Sequence, residues 1–193
     1  FVGLNPGFTE DELYPKVGNT YWSQSNGAID IAKVEDFFEN RFNGFYVKHS
    51  DGRRFRIMTT SLQEKTIRGR TFWGYIKSIA DKILNTSNSN PGVDFAITEI
   101  VHCKSKNIAC IPAKCYEECL NKHFDNILSI AQNLKFIVII GQPARERISK
   151  HFGIASPDKY QWYNIKIYNR SIQIIFVDHN AGGGSAKRVP TLP

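Results

Sequence analysis

Apolar residues recur along this chain with two different spacings, and the two spacings take turns. Phe1-Val2-Gly3-Leu4 opens as a short buried strand over residues 2–4, and Pro6-Gly7 force a turn as the chain leaves it. Between Tyr21 and Asn40, the residues Ile29, Ile31, Ala32, Val34, Phe37 and Phe38 fall at spacings that predict an amphipathic helix. Phe45-Tyr46-Val47 and Phe55-Arg56-Ile57-Met58 flank Asp51-Gly52, a hairpin signal. Residues 66–84 return to the helical period, with Phe72, Trp73, Tyr75, Ile76, Ile79, Ile83 and Leu84 on one face. A Ser/Asn/Pro loop follows over residues 85–92.

The second half repeats the alternation. Residues 95–101 read as a strand and residues 113–133 as a helix. Phe136-Ile137-Val138-Ile139-Ile140 is apolar throughout, as expected of a strand covered on both faces. Residues 143–152 predict a helix with Pro143 in its first turn. Residues 162–167 and 172–177 alternate in polarity around Asn169-Arg170-Ser171 and predict a pair of strands. Strands that alternate with helices give an α/β fold, a three-layer αβα sandwich around a mainly parallel central sheet. No internal repeat or linker divides the chain, so residues 1–193 are expected to form one domain, and a monomer.

Composition narrows the class. Hydrophobic residues make up 41% and charged residues 22%, a globular balance. No apolar run approaches the roughly 20 residues that cross a bilayer, so no membrane is expected as partner. The chain begins without Met, directly in a core-like strand, which leaves the natural amino terminus open. Twenty-five Lys and Arg stand against 18 Asp and Glu, a net charge of +7. Part of that excess is local: Lys48, Arg53, Arg54, Arg56, Lys65, Arg68 and Arg70 accompany only Asp51 and Glu64. A basic hairpin and helix suit phosphate contacts with a nucleic acid, and equally a solvated face. No P-loop or dinucleotide fingerprint is present.

The cysteines Cys103, Cys110, Cys115 and Cys119 are confined to one short stretch, unlike a secreted disulfide framework, and an intracellular, cytoplasmic location is expected. Cys115 and Cys119 are four apart on the predicted helix and share a face. Zinc ligation and reduced, buried thiols are both open readings.

The ends of the chain carry a resemblance. Gly3-Leu4-Asn5-Pro6-Gly7, then Tyr14-Pro15, then Gly18-Asn19-Thr20-Tyr21-Trp22, resembles the first motif of the mismatch-specific uracil and thymine DNA glycosylases of the uracil-DNA glycosylase superfamily. Phe136 to Gly141 with Gln142-Pro143-Ala144-Arg145 resembles that family's strand leading into a helix. Ile175-Phe176-Val177-Asp178-His179-Asn180 resembles its last strand and second catalytic motif, usually His-Pro-Ser or Asn-Pro-Ser. Asn180 departs from that pattern, and so does an insertion, with the basic hairpin and helix within about 40–90.

The resemblance implies a monofunctional DNA glycosylase that flips a pyrimidine out of DNA and hydrolyses its glycosidic bond. Asn5 would orient the attacking water, and His179 would stabilise negative charge on the departing base. Asp178 would activate water instead, or orient His179. Tyr14 would stack on the base, with Tyr21 as the other choice and Asn19 beside them. The loop with Gly183, Gly184 and Ser185 would approach phosphates through its backbone N–H groups, and Lys187 or Arg188 would enter the gap left by the base. Arg53 and Arg54 would add phosphate contacts. The chemistry needs no cofactor. The spacing of Cys103 and Cys119 matches two ligands in the superfamily's iron–sulfur branches, which extends the metal readings to a cluster. Its other two ligands would come either from a pair upstream of the first strand, as in those branches, or from Cys110 and Cys115.

Glu99 stands where relatives commonly place an Asn that reads the base edge. An ionised carboxylate only accepts hydrogen bonds, which suits the 4-amino group of cytosine and opposes the 4-carbonyl of uracil. A modified cytosine, such as phage DNA carries, is therefore the expected substrate, with an antiviral role. Uracil excision in mismatch repair is the alternative, since a protonated Glu99 donates. A non-catalytic DNA or modified-base binding module of the same fold is the third reading.

Overall fold

The computed structural model describes residues 1–4, 23–34, 47–48, 54–55, 72–101, 111–179 and 188–191. Its centre is Phe136–Ile140 (β5), the uniformly apolar run. Four further strands join it: Val2–Gly3 (β1), Thr98–Glu99 (β4), Trp162–Ile167 (β6) and Arg170–Val177 (β7), in the order β4-β1-β5-β7-β6. β4, β1, β5 and β7 run parallel, and β6 returns antiparallel at one edge, so the five-stranded sheet is mixed.

β5 must be apolar throughout because helices cover both of its faces. Ile137 and Ile139 join Ile172, Ile174 and Phe176 of β7 in one cluster, while Val138 and Ile140 join Ile175 and Val177 in a second. Phe72–Ile83 (α1) closes the second cluster with Tyr75, Ile76, Ile79, Ala80 and Ile83, a helical spacing that puts them all on one face. Each fully buried aliphatic side chain contributes about 1.5–3 kcal/mol, which makes the doubly covered strand the anchor of the sheet.

The first cluster is closed by Ala113–Cys119 (α2), a π-helical turn at Leu120–Phe124, Asp125–Ile130 (α3) and Gln142–His151 (α4). The π turn has a cause in the sequence. Tyr116, Leu120, Phe124 and Leu128 are all buried and recur every fourth residue. On a helix with 3.6 residues per turn that spacing drifts by about 40° at each step. A wider turn absorbs the drift and keeps all four against the sheet.

Helix ends are closed by devices that the apolar pattern does not announce. At the end of α1, Thr86 N–H donates to Asp81 O (2.9 Å) and Asn85 N–H to Lys82 O (3.3 Å), with Asn85 left-handed at φ 51. This is a Schellman cap with Asn in the usual Gly position. At the end of α3, Arg170 donates to Ala131 O and Leu128 O, each at 2.6 Å. One guanidinium from the start of β7 thus binds two carbonyls at the helix end, of which Ala131 O also accepts from Leu134 N–H at 3.1 Å.

Some expectations shift. Residues 23–30 are not helical: Gln24 N–H donates to Ala28 O, Ser23 pairs with Ile29, and only residues 31–34 make a helical turn within the described part of residues 21–40. The Gly27 turn, at φ 80, interrupts the helical period there. The turn between β6 and β7 lies at Tyr168-Asn169, one residue earlier than expected, since both have positive φ (47 and 64) and Ile167 pairs with Arg170. That is the two-residue type I′ geometry. The hairpin around Asp51-Gly52 is present as Val47–Lys48 (β2) antiparallel to Arg54–Phe55 (β3).

Arg170→Ala should lower stability by about 1–2 kcal/mol in urea unfolding, because two part-buried carbonyls lose a charged donor. Lys at this position should recover less than half, lacking the planar fork. A full recovery by Lys would refute the double cap.

Candidate functional site

Four parallel strands put four carboxyl ends on one edge of the sheet. β1 pairs with β4 in the register Val2↔Thr98 and Gly3↔Glu99, and with β5 through Val2↔Ile139. β5 pairs with β7 as far as Ile140↔Val177, and Gly141 N–H continues the ladder to Val177 O at 2.8 Å. On the other side Ile100 N–H donates to Gly3 O (3.0 Å) and Val101 N–H to Leu4 O (2.8 Å). The chain segments at Leu4, Glu99, Gly141 and Asp178-His179 therefore share one edge. Open α/β sheets hold ligands at such an edge.

Glu99 lies across the backbone of β1. A Cβ placed on Gly3 would lie 2.8 Å from Glu99 Cδ and 2.9 Å from Oε1, and would overlap Oε2. Only glycine leaves room for that carboxyl group. Oε2 is buried and has no hydrogen-bond partner among the described residues. Burial accordingly raises the Glu99 pKa from 4.5 to about 7, with the positive amino group of Phe1 opposing part of the effect. Near neutral pH the group divides between a neutral form that donates and an ionised form that only accepts.

Asp178 has the opposite surroundings. Lys159 Nζ donates to Oδ1 at 2.9 Å and Tyr160 OH to Oδ2 at 2.8 Å. The Lys159 hydrogen bond holds the carboxyl group below its ordinary range, with the Tyr160 hydrogen bond and the charges of Lys159 and Arg145 in the same direction and partial burial against it. The backbone is fixed as well: Tyr75 OH, from the buried face of α1, donates to Asp178 O at 3.1 Å. The next residue, His179, is exposed and lies against Gly141, where an added Cβ would be 3.1 Å from the His179 Cβ. Gly141 has φ 88 and caps α4, so it serves the helix start and the approach of His179 together.

Of the residues expected from sequence, Glu99, Asp178 and His179 lie on this edge. Asn5 follows Leu4 by one peptide bond but lies outside the described residues, as do Tyr14, Asn19, Tyr21, Arg53, Gly183, Gly184, Ser185 and Lys187. Arg54 belongs to β3, and Arg188 is exposed next to Val189, which is buried against α1. Cys115 and Cys119 are unpaired and half-buried on α2, with Cys119 packed against the core; Cys103 and Cys110 lie outside the described residues. Among the described residues no group of three or more His, Cys, Asp or Glu could hold a metal ion.

The pattern reading did not single out Tyr75, Lys159, Tyr160 or the glycines at 3 and 141 for this edge. Tyr75 counted there as one more apolar helix position, although a buried tyrosine needs a partner for its hydroxyl. That requirement was the available signal. Lys159 and Tyr160 carry no local signal, because their partner is distant in sequence.

The raised pKa of Glu99 fixes a sign for stability. Its effect on folding is most favourable below about pH 4.5 and is lost as pH rises to about 7, where the buried group ionises. Glu99→Gln should therefore gain on the wild type by on the order of 2 kcal/mol between pH 4.5 and 8, measured by urea unfolding. A gap that does not change with pH would contradict the buried, unpartnered carboxyl group. No protein-family model matches the chain and no curated protein matches it, so this edge is known by its residues alone.

Proposed function

We propose that this chain is a monofunctional DNA glycosylase with the fold of the uracil-DNA glycosylase superfamily, excising a pyrimidine base and preferring a cytosine with a modified ring. One observation carries the reading. β1 and β7 flank β5 in parallel, so the first and last motifs leave the sheet on one edge, separated by two interstrand spacings of about 4.8 Å each. In this reading the flipped base lies between the two exits.

Extruding the base costs a few kcal/mol, which phosphate contacts from Arg53, Arg54 and the 183–185 loop, with Lys187 or Arg188 in the vacated gap, would offset. Tyr14 stacks on the base, and Asn19 and Tyr21 complete the platform. Asn5 orients water towards the sugar carbon. An amide is a weak base, so bond breaking runs ahead of attack, and the charge that develops on the base is met by His179. Glu99 reads the position-4 substituent. In its ionised form it accepts from the 4-amino group of a cytosine. The partner is DNA, the enzyme acts inside the cell as a monomer, and modified phage DNA supplies a substrate in antiviral defence. Cys103, Cys110, Cys115 and Cys119 offer a ligand set for zinc or an iron–sulfur cluster in a structural role, apart from the reaction.

A non-catalytic module that recognises the base without turnover has one observation in its favour: the carboxylate of Asp178 is already bound on both oxygens. Oligonucleotides carrying uracil, cytosine and 5-modified cytosines, single- and double-stranded, decide between the readings through alkali-labile abasic sites. Release of a cytosine-type base should increase from pH 6 to 8 as Glu99 ionises, and Glu99→Asn should shift preference towards uracil. Asn5→Ala and His179→Ala should each reduce turnover about 100-fold or more while DNA binding persists. Binding with no base released from any substrate would establish the module instead. A wild-type preference for uracil would overturn the cytosine assignment.

A further inference from the structure

We infer that Asp178 is a positioning residue: its carboxylate, held by Lys159 and Tyr160, fixes the exit of β7 so that His179 is presented at the sheet edge, and it does not take a proton from water. The inference rests on the proposed activity only for its kinetic consequence; its geometric part stands apart from it.

Three hydroxyl and amine donors converge on this one residue, and all of its oxygens are engaged. Lys159 and Tyr160 bind the two carboxylate oxygens, and Tyr75 of α1 binds the carbonyl. Tyr160 is tied to β7 twice, because its N–H also donates to Phe176 O at 2.9 Å, beyond the first β6–β7 pair Trp162↔Ile175. It does so at φ 64, a left-handed conformation that is costly for a tyrosine. The hydroxyl-to-carboxylate bond and the ladder hydrogen bond offset that cost. Each carboxylate oxygen keeps a second lone pair, but an oxygen that already accepts from Lys159 or Tyr160 is a weaker proton acceptor. The charged groups that face the carboxylate, Lys159 and Arg145, further reduce its basicity.

The clamp has one adjoining chemical group to present. His179 follows by one residue and its Cβ is seated against Gly141 at the start of α4. Rotation of the peptide after Asp178 would carry the imidazole away from Gly141. The clamp removes that freedom, which is the kind of preorganisation an electrostatic stabiliser requires.

The test compares Asp178→Asn, Tyr160→Phe, Lys159→Met and Lys159→Arg in the full chain. Histidine-labelled NMR, with the His179 ring signal assigned through His179→Gln, reads position directly and without substrate. Asp178→Asn, Tyr160→Phe and Lys159→Met should each shift and broaden that signal, and Lys159→Arg should restore it. In base release, Asp178→Asn and Tyr160→Phe should both lower kcat on the order of ten- to a hundredfold with KM unchanged, and both should keep the shape of the pH profile, including the Glu99-dependent rise between pH 6 and 8. An unmoved His179 signal in the three disruptive variants would overturn the inference. So would loss, in Asp178→Asn alone, of an acid limb lying below the Glu99-dependent rise, beside wild-type rates in Tyr160→Phe, the signature of a general base. Should the wild type release no base, the glycosylase reading fails while the NMR comparison still decides the clamp. Should Asp178→Asn not fold, Tyr160→Phe and Lys159→Met carry the same measurement.

Discussion

The parallel pairing of β5 with β1 on one side and β7 on the other is the constraint on which the site depends. Parallel strands point their carboxyl ends the same way, so pairing direction alone decides whether the two ends of the chain meet on one edge. Burial enforces that pairing. β5 has no polar side chain to offer water on either face, and its alternate residues are consumed by two separate clusters. A reversed β7 would carry Asp178 and His179 to the opposite edge of the sheet, away from Glu99.

Two carboxyl groups on that edge have been given opposite properties by their surroundings. Glu99 is half-buried over a glycine, with its Oε2 buried and without a hydrogen-bond partner among the described residues, and holds its proton to about pH 7. Asp178 has a hydrogen-bond donor on each oxygen and loses its proton more readily than an ordinary aspartate. Separation of this kind assigns distinct roles to chemically similar groups. The neutralisable group suits recognition of a substituent that either donates or accepts. The readily ionised group suits structural anchoring.

The elements with strong periodicity were legible in the sequence. β5, α4 and the buried face of α1 follow from apolar spacing, because burial on one or both faces imposes the period directly. The π turn, the turn at Tyr168-Asn169 and the non-helical residues 23–30 were not, since each depends on packing or on left-handed backbone that a hydrophobic pattern leaves unspecified. Within the site, the contrast is similar. The strand-end position of His179 follows from strand prediction, whereas Glu99, expected inside a strand over residues 95–101, ends the shorter strand Thr98–Glu99. Lys159 and Tyr160 reach Asp178 from 19 and 18 residues away and leave no trace in local spacing.

The sheet is held unevenly, and this bears on its motions. β5 and β7 are zipped together from Phe136 to Ile140, whereas β1 meets β5 at Val2 and meets β4 at Val2 and Gly3. Opening free energies within one fold vary with how many backbone hydrogen bonds and buried apolar groups must be broken together. Among the described residues the histidine-bearing half of the edge is therefore the more continuously paired half, and the half that carries Glu99 has fewer ladder bonds to break on opening. Proton exchange with the buried carboxyl group can follow that breathing while the imidazole stays in place.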